Sequence, residues 1–537
     1  MKNRNNKKTI LTSTCSKIHI GLLLSGCFLN LPNFAQIKIN IQTDSVINRM
    51  AAGFGCNTYA MLDSVPVVSD AEGNYRSWGG SAWGATPEAT DEKAWQKIYS
   101  YMDWLGMDYT RLNLEHRIFQ PLKGRYDFNN REMKVLYRYL DYFEKNGVLV
   151  HLQEMYPNAK WLAHKTLQGN KVDIIKSAPA DIEAWSDGII ALLKHLTIEK
   201  KYTCIQYFGV ANEPHHGWSW WKKADGKTSQ SIVPAFTLLK SKIKKAGLKM
   251  PLTGPEEMFY FWEVKNTQEN YSPIVDAFSY HEYMTMIDWW DNMESKDWNP
   301  TLSLFTDPVA TAVKIAHDQN KPFLFSEHGT MQFGLKKADR GPSLFAAMLK
   351  DVEFCVRYSN LGVDGFNRWS LLNRNNLDGQ WGFIETFDRQ KLKLLNPENY
   401  QPKENSYFGY GMLTRFIYKN AVVVKSVISD YTPEDSIPAV FAATFLSPQQ
   451  TEASIIIVND KQQTAPIQLN ISGKGNYALW YKYQFNYSQR NKNNIEINPM
   501  VEIKGNTIAD TIPGMSITVY STKKLMNSDK GLVNEQK

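Results

Sequence analysis

From about residue 51 to about residue 400, short β-rich runs alternate with longer segments whose apolar positions recur every three or four residues. The runs fall at 51–56, 109–114, 148–154, 205–211, 250–254, 277–280, 322–326 and 365–371. Each reads as a strand. The segments between them read as amphipathic helices with start and stop signals. Thr90 precedes Asp91 and Glu92; Ala94, Ile98, Met102 and Leu105 then share one face, and Gly106 ends the run. Residues 129–146 behave alike, with Met133, Leu136, Leu140 and Phe143 on one face and Gly147 after them. So do 181–196, 232–246 and 344–358. Eight strand–helix units over roughly 350 residues predict an α/β chain wound as one (β/α)8 TIM barrel. A doubly wound open sheet would need a glycine-rich phosphate turn after its first strand, and Gly53-Phe54-Gly55-Cys56 does not supply one.

Past about residue 410 the helical period is lost. Runs at 421–429, 439–446, 453–458, 467–471, 477–483 and 516–520 are separated by turn residues. They predict a C-terminal antiparallel β-sandwich domain of about 115 residues. The expected division is a signal peptide at 1–35, an N-terminal strand at 36–50 joining the sandwich, a catalytic barrel at 51–408, the sandwich at 409–525 and a disordered tail at 526–537. No Pro/Gly/Ser-rich linker separates barrel from sandwich, so the sandwich reads as a buttress rather than a tethered module.

Composition adds limits. Hydrophobic residues make up 43% and charged residues 21% of the 537, which excludes disorder, collagen and coiled coil as the main architecture. The formal charge is +7, but Lys2, Arg4, Lys7, Lys8 and Lys17 stand in a stretch without acids, leaving about +2 for the rest. No basic field points to nucleic acid. The basic start and the apolar stretch 18–31 read as a secretory signal. Cleavage after Ala35 is one exit. The other is Leu24-Ser25-Gly26-Cys27, which resembles a bacterial lipobox and would put a lipid on Cys27, the one route to membrane attachment. Both readings predict an exported protein: periplasmic, extracellular or an outer-membrane lipoprotein. Cys56, Cys204 and Cys355 remain, an odd number with no Cys-x-x-Cys pair. Buried thiols are expected, not a disulfide framework or a zinc site.

A barrel carries its chemistry at the C-terminal ends of its strands. Those ends hold Arg111, Asn113 and Glu115; Gln153 and Glu154; Asn212, Glu213, Pro214, His215 and His216; Tyr280, His281, Glu282 and Tyr283; Ser326, Glu327 and His328; Arg368 and Trp369. A hydrophobic core does not call for that set. Glu115 and Glu154 fit two roles equally, binding sugar hydroxyls or pairing with His116 or Arg117. Adjacent histidines on a loop seldom share a metal, so His216 is read as a hydrogen-bonding residue, with no metal and no cofactor required. Glu256, Glu257 and Glu282 are rival carboxylates.

Phe208-Gly209-Val210-Ala211-Asn212-Glu213-Pro214 resembles the Asn-Glu-Pro signature of clan A retaining glycoside hydrolases. Phe323-Leu324-Phe325-Ser326-Glu327 resembles the clan's strand-seven segment, His281-x-Tyr283 its strand-six His-x-Tyr, and Trp369 its strand-eight tryptophan. Gly53-Phe54-Gly55 and the segment from Tyr407 to Ile417 resemble glucosylceramidase-like members. The resemblance implies Glu213 as general acid/base and Glu327 as nucleophile, with Arg111 and Tyr283 holding Glu327 ionised. It implies Asn212 on the sugar 2-hydroxyl and Trp369 as a floor under the reacting sugar. Glu256, Glu257 and Glu282 do not match the clan pattern. A retaining mechanism needs this pair of carboxylates, one as nucleophile and one to give and later take a proton.

Trp218, Trp220 and Trp221 follow Glu213; Trp289, Trp290 and Trp298 follow the sixth strand; Trp381 follows the eighth. Tryptophans on such loops suit stacking against pyranose faces. The glucosylceramidase-like resemblance and the expected export imply hydrolysis of a β-linked glycan, first a β-glucan with 1,3- or 1,6-linkages. Xylan and mannan remain open. A non-catalytic glycan-binding protein and a transglycosylase are the alternatives.

Overall fold

The computed structural model describes residues 36–60, 85–169, 171–215, 221–227, 232–259, 262–285, 306–331, 341–372, 382–388, 391, 393–429, 440–490 and 495–535. All eight expected barrel strands form. They are Gly53–Cys56 (extended by Thr58–Tyr59), Tyr109–Glu115, Leu149–Tyr156, Ile205–Val210, Thr253–Met258, Ala277–Thr285, Phe323–Met331 and Gly365–Arg368. Sequential strands pair in parallel, and the eighth pairs with the first, Gly365 opposite Gly53. A bridge between Phe208 and Leu252 links the fourth strand to the fifth, so the ring closes. The sixth and seventh strands run past the apolar stretches that marked them, because their C-terminal halves carry the polar residues of the barrel mouth.

Strand residues alternate between the barrel interior and the surrounding helices. Leu112, Leu114, Val150 and Leu152 belong to the helix-facing core, whereas Tyr109, Ala277 and Leu324 pack within a small separate cluster. The helices start and stop where local chemistry allows. Asp91, one residue after the anticipated Thr90, caps Glu92–Leu105 by accepting from the Ala94 amide, and Gly106 ends it at φ 66°. Asn130 caps Arg131–Asn146, with Gly147 at φ 64° closing it. Asp181 caps Ile182–Lys194.

The second sheet has nine strands in the order Val501–Lys504, Leu479–Asn486, Ser516–Ser521, Ala453–Asn459, Val440–Leu446, Val422–Ser429, Ile37–Arg49, Ala465–Ser472 and Thr507–Ile512. Neighbours are antiparallel except Ile37–Arg49 against Ala465–Ser472. The N-terminal strand Ile37–Arg49 takes its place in this sheet, and Val501–Lys504 and Thr507–Ile512 are not legible as strands in the sequence: their polar residues leave too few apolar positions. Two cores share these strands by parity. Val422, Val424, Ile455 and Ile457 join Ile39, Ile467, Leu469 and Trp480 inside the sandwich. Val423, Phe441, Phe445, Ile456 and Val458 belong to the barrel's core. Strands buried on both faces read as unbroken apolar runs.

The tail, expected to be disordered from residue 526, instead packs on the barrel. Arg415 donates to the carbonyls of Met526 (3.0 Å), Asp529 (2.9 Å) and Trp104 (2.8 Å). The Leu532 amide donates to the Arg415 carbonyl at 2.9 Å, and Leu532 is fully buried. A Cβ on Gly531 would lie 2.6 Å from the Gly106 Cα, so the close approach requires glycine. A polar composition hides this because main-chain carbonyls supply much of the hold, and among the tail's described residues only the Leu532 and Val533 side chains are buried. Cys56, Cys204 and Cys355 are buried free thiols. Among the described residues, no helix is long and apolar enough to cross a membrane.

Candidate active site

The fourth strand ends in a strained turn. Ala211 and Glu213 hold φ of 61° and 46°, and Glu256 on the next strand holds 57°. Such values are uncommon outside glycine and mark a side chain held in a set direction. The Ala211 amide donates to the Glu154 carbonyl at 2.9 Å and the Glu213 amide to the Glu256 carbonyl at 2.8 Å. These bonds fix the turn.

Arg111, fully buried, ties the mouth together. Its Nη1 donates to Glu327 at 2.8 Å and to Asn57 at 3.3 Å, and its Nη2 donates to the Asn212 side-chain oxygen at 3.0 Å. Its Nε lies 3.2 Å from Glu256. Tyr283 donates its hydroxyl to the other oxygen of Glu327 at 2.6 Å. His281 Nδ1 lies 2.9 Å from Glu213 and 3.9 Å from Glu327, and its Nε2 lies 3.4 Å from Glu256. Oxygens of Glu213 and Glu327 and a nitrogen of His281 fall within 4.8 Å of one another.

Glu256 lies beneath this pair and is not exposed. Ser326 donates to it at 2.9 Å, Thr253 at 3.2 Å, and Ser279 also donates. Burial opposes its charge, but His151, Arg111 and His281 hold its carboxyl well below the usual carboxylate range. Burial opposes the charge on His281 too; Glu327, Glu213 and Glu256 outweigh it and raise the imidazole to about 9. Glu327 is raised by burial and by Glu213, while His281, Arg111 and the Tyr283 hydroxyl pull the other way. The short bonds from Arg111 and Tyr283 favour its ionised form.

Glu213, His281 and Glu327 could in principle ligate a metal. Arg111 already binds Glu327, and an imidazole raised to about 9 carries a proton at neutral pH rather than an open lone pair. The donor set therefore suits internal ion pairing better than a divalent ion.

Of the residues read from sequence, Arg111, Asn212, Glu213, His281, Tyr283 and Glu327 meet here. Trp369 directly follows the eighth strand, its ring edge-on to Tyr59 at 5.1 Å. Glu154 does not belong. Its parity is that of Val150 and Leu152, and it faces the helices, where it bonds His116 Nδ1 at 2.5 Å and accepts from Trp185 Nε1 at 2.8 Å. Glu115 pairs with Arg117 at 2.5 Å. Trp221, placed among the cleft tryptophans from sequence, packs edge-on to Trp185 at 5.7 Å and is buried. His216, Trp218, Trp220, Trp289, Trp290, Trp298 and Trp381 lie outside the described residues. Asn57, Tyr59, His151 and Ser279 are not among the residues read from sequence, while Ser326 and Glu256, read only as a strand-end residue and a rival carboxylate, bond each other beneath the pair. Period-two spacing from strand-end residues already named reaches two of the unread residues, His151 from Gln153 and Ser279 from His281.

No protein-family model matches the chain, and no curated protein matches it. Solved structures do. A conserved exported protein from Bacteroides fragilis aligns at 11% identity and a TM-score of 0.60, over 90% of this chain and 99% of its own. A glycoside hydrolase family 30 subfamily 8 xylanase from Clostridium acetobutylicum aligns at 12% identity and 0.56, over 90% and 99%. An endo-β-1,6-glucanase aligns at 12% identity and 0.56, over 91% and 94%. The chain thus has the barrel-and-sandwich fold of these proteins.

Proposed function

We propose that the protein is a retaining β-glycoside hydrolase with Glu327 as nucleophile and Glu213 as general acid/base. The observation that carries this reading is the pair itself. The two carboxylates come from the ends of strands four and seven and have oxygens within 4.8 Å, near the roughly 5 Å that a retaining reaction needs. Glu327 attacks the anomeric carbon while Glu213 protonates the leaving oxygen, giving a glycosyl ester. Glu213 then takes a proton from water, which cleaves the ester and frees Glu327. Arg111 and Tyr283 hold the two oxygens of Glu327 in place for attack. With Arg111 and His281 charged against Glu256, Glu327 and Glu213, one proton neutralises the group, and the chemistry requires it on Glu213. Arg111 also fixes the Asn212 amide, leaving its N–H groups for the sugar 2-hydroxyl.

A β-glucan, with 1,6- or 1,3-linkages first, is the proposed substrate. Similarity of fold to an endo-β-1,6-glucanase supports that choice, and similarity to a xylanase keeps xylan on the panel. Export fits both the basic-then-apolar N-terminus and the exported protein of like fold. The test is activity on purified β-glucans, xylan and mannan, with Glu213→Ala and Glu327→Ala beside wild type. Cleavage of one glycan, lost in both variants, supports the reading. Binding without cleavage by wild type would replace it with a glycan-binding protein, and transfer to an added sugar would mark a transglycosylase.

A further inference from the structure

Tyr59 ends the extension of the first barrel strand, and its neighbours in the chain set its direction. The Thr58 hydroxyl meets the Thr110 hydroxyl at 3.0 Å. Thr110 shares the parity of the helix-facing Leu112 and Leu114. On the opposite face, Asn57 bonds Arg111 and donates its amide to the Ser326 carbonyl at 3.0 Å. Tyr59 has the parity of Asn57 and stands one step nearer the mouth, so it projects inward above Arg111. Its ring meets Trp369 edge-on at 80°. Burial first, and then the charge of Glu327, hold the phenol far above its ordinary range, so it is a neutral O–H donor.

Among the described residues, that hydroxyl has no hydrogen-bond partner, although it is buried. A lone buried hydroxyl costs stability. A phenylalanine would pack on Trp369 equally well without that cost. Buried polar groups in native structures are almost always paired, so an orphan one at a site calls for a partner that arrives from outside. The ring of donors already described serves Glu327 and Glu256; none of it serves Tyr59.

We propose that Tyr59 is a substrate-contacting residue whose hydroxyl bonds a hydroxyl of the sugar held over Glu327, other than the 2-hydroxyl. Asn212, the residue placed to take the 2-hydroxyl, lies three strands away around the ring. Tyr59 therefore meets the other side of the sugar and selects for a free hydroxyl there. The inference rests on the glycosidase reading and deepens it.

The test compares wild type with Tyr59→Phe on the glycoside that wild type cleaves and on its 2-, 3-, 4- and 6-deoxy analogues, with Tm measured for both proteins. Tyr59→Phe should lose about tenfold to a hundredfold in kcat/KM on the parent glycoside. Its Tm should equal or exceed wild type. On one of the 3-, 4- or 6-deoxy analogues the two proteins should be equally fast, because the lost contact is absent from both. Equal rates on the parent would overturn the proposal. So would one uniform loss across all analogues, convergence only at the 2-deoxy analogue, or a lowered Tm, which would mean the hydroxyl is bonded within the protein. If wild type cleaves no glycoside, the glycosidase reading fails and takes this inference with it.

Discussion

Glu327 and Glu154 both lie toward the ends of barrel strands, both are buried, and both make two side-chain hydrogen bonds, yet they face opposite sides of the same sheet. Inside the mouth, Glu327 is held by Arg111 and Tyr283 and shares its space with Glu213. Outside, Glu154 is held by His116 and Trp185, and Gln120 closes the far side of that histidine at 2.7 Å. The outer group is finished: each oxygen has its partner. The inner group is crowded with like charges that no structural role demands. A buried carboxylate alone is therefore a poor marker of function. Crowded carboxylates balanced by fixed cations are a better one, because that arrangement costs stability unless chemistry uses it.

The sharpest test of this contrast is Glu327→Ala. It should lower kcat by about 10⁴-fold or more while the protein stays folded, since a nucleophile has no substitute. Added azide should restore part of the rate through a glycosyl azide, and a slow-turnover 2-fluoro glycoside should label Glu327 in the wild type. Labelling at Glu256 instead would break the assignment. Arg111→Lys should come next, with a loss of about 10²- to 10³-fold in kcat. One ammonium cannot span Glu327, Asn212 and Glu256 as the guanidinium does. A loss seen only in KM would show that Arg111 binds substrate rather than orients Glu327.

A smaller effect concerns pH. His281 has an ordinary value of 6.5 and is raised to about 9 in the fold. The folded state thus holds this proton more tightly than the unfolded chain. Its contribution to stability is fully present below pH 6.5 and is lost as pH rises through about 9. Urea unfolding at pH 6 and pH 9.5 should show that loss in wild type and a reduced one in His281→Gln. Equal slopes in the two proteins would mean that the imidazole is neutral.

Much of this was legible in the chain because it rests on repetition. Eight apolar runs alternating with amphipathic segments, several of them capped, predict a barrel however exact the boundaries. The position of Glu213 after one strand and Glu327 after another then brings two distant residues to one face. What stayed hidden depends on parity and on main-chain contacts. Residues 153 and 154 look alike as polar strand ends, but only odd numbers on that stretch point inward, so of the two roles open to Glu154 the structure shows the pairing with His116. Glu256 was set aside because it lacked a motif, though it supports Arg111 and His281 from below. The tail was dismissed for its polarity, while Arg415 holds it through carbonyls that composition cannot reveal.

The smallest expected effect on catalysis closes the comparison from its outer side. Glu154→Gln keeps the shape of the side chain and one acceptor oxygen, and removes the charge. If the oxygen stays with the Trp185 indole, the amide N–H₂ faces His116 Nδ1 in place of a carboxylate, and a charge-assisted bond is lost. A buried bond of that kind is worth about 2 kcal/mol, so Tm should fall by several degrees. The rate per folded molecule, measured well below Tm, should match wild type within about twofold, because Glu154 is separated from Glu213 by the sheet itself. A large drop in kcat with an unchanged Tm would mean that the helix-facing side of the third strand reaches the chemistry. In that case parity would not be the rule that sorts the carboxylates of this barrel.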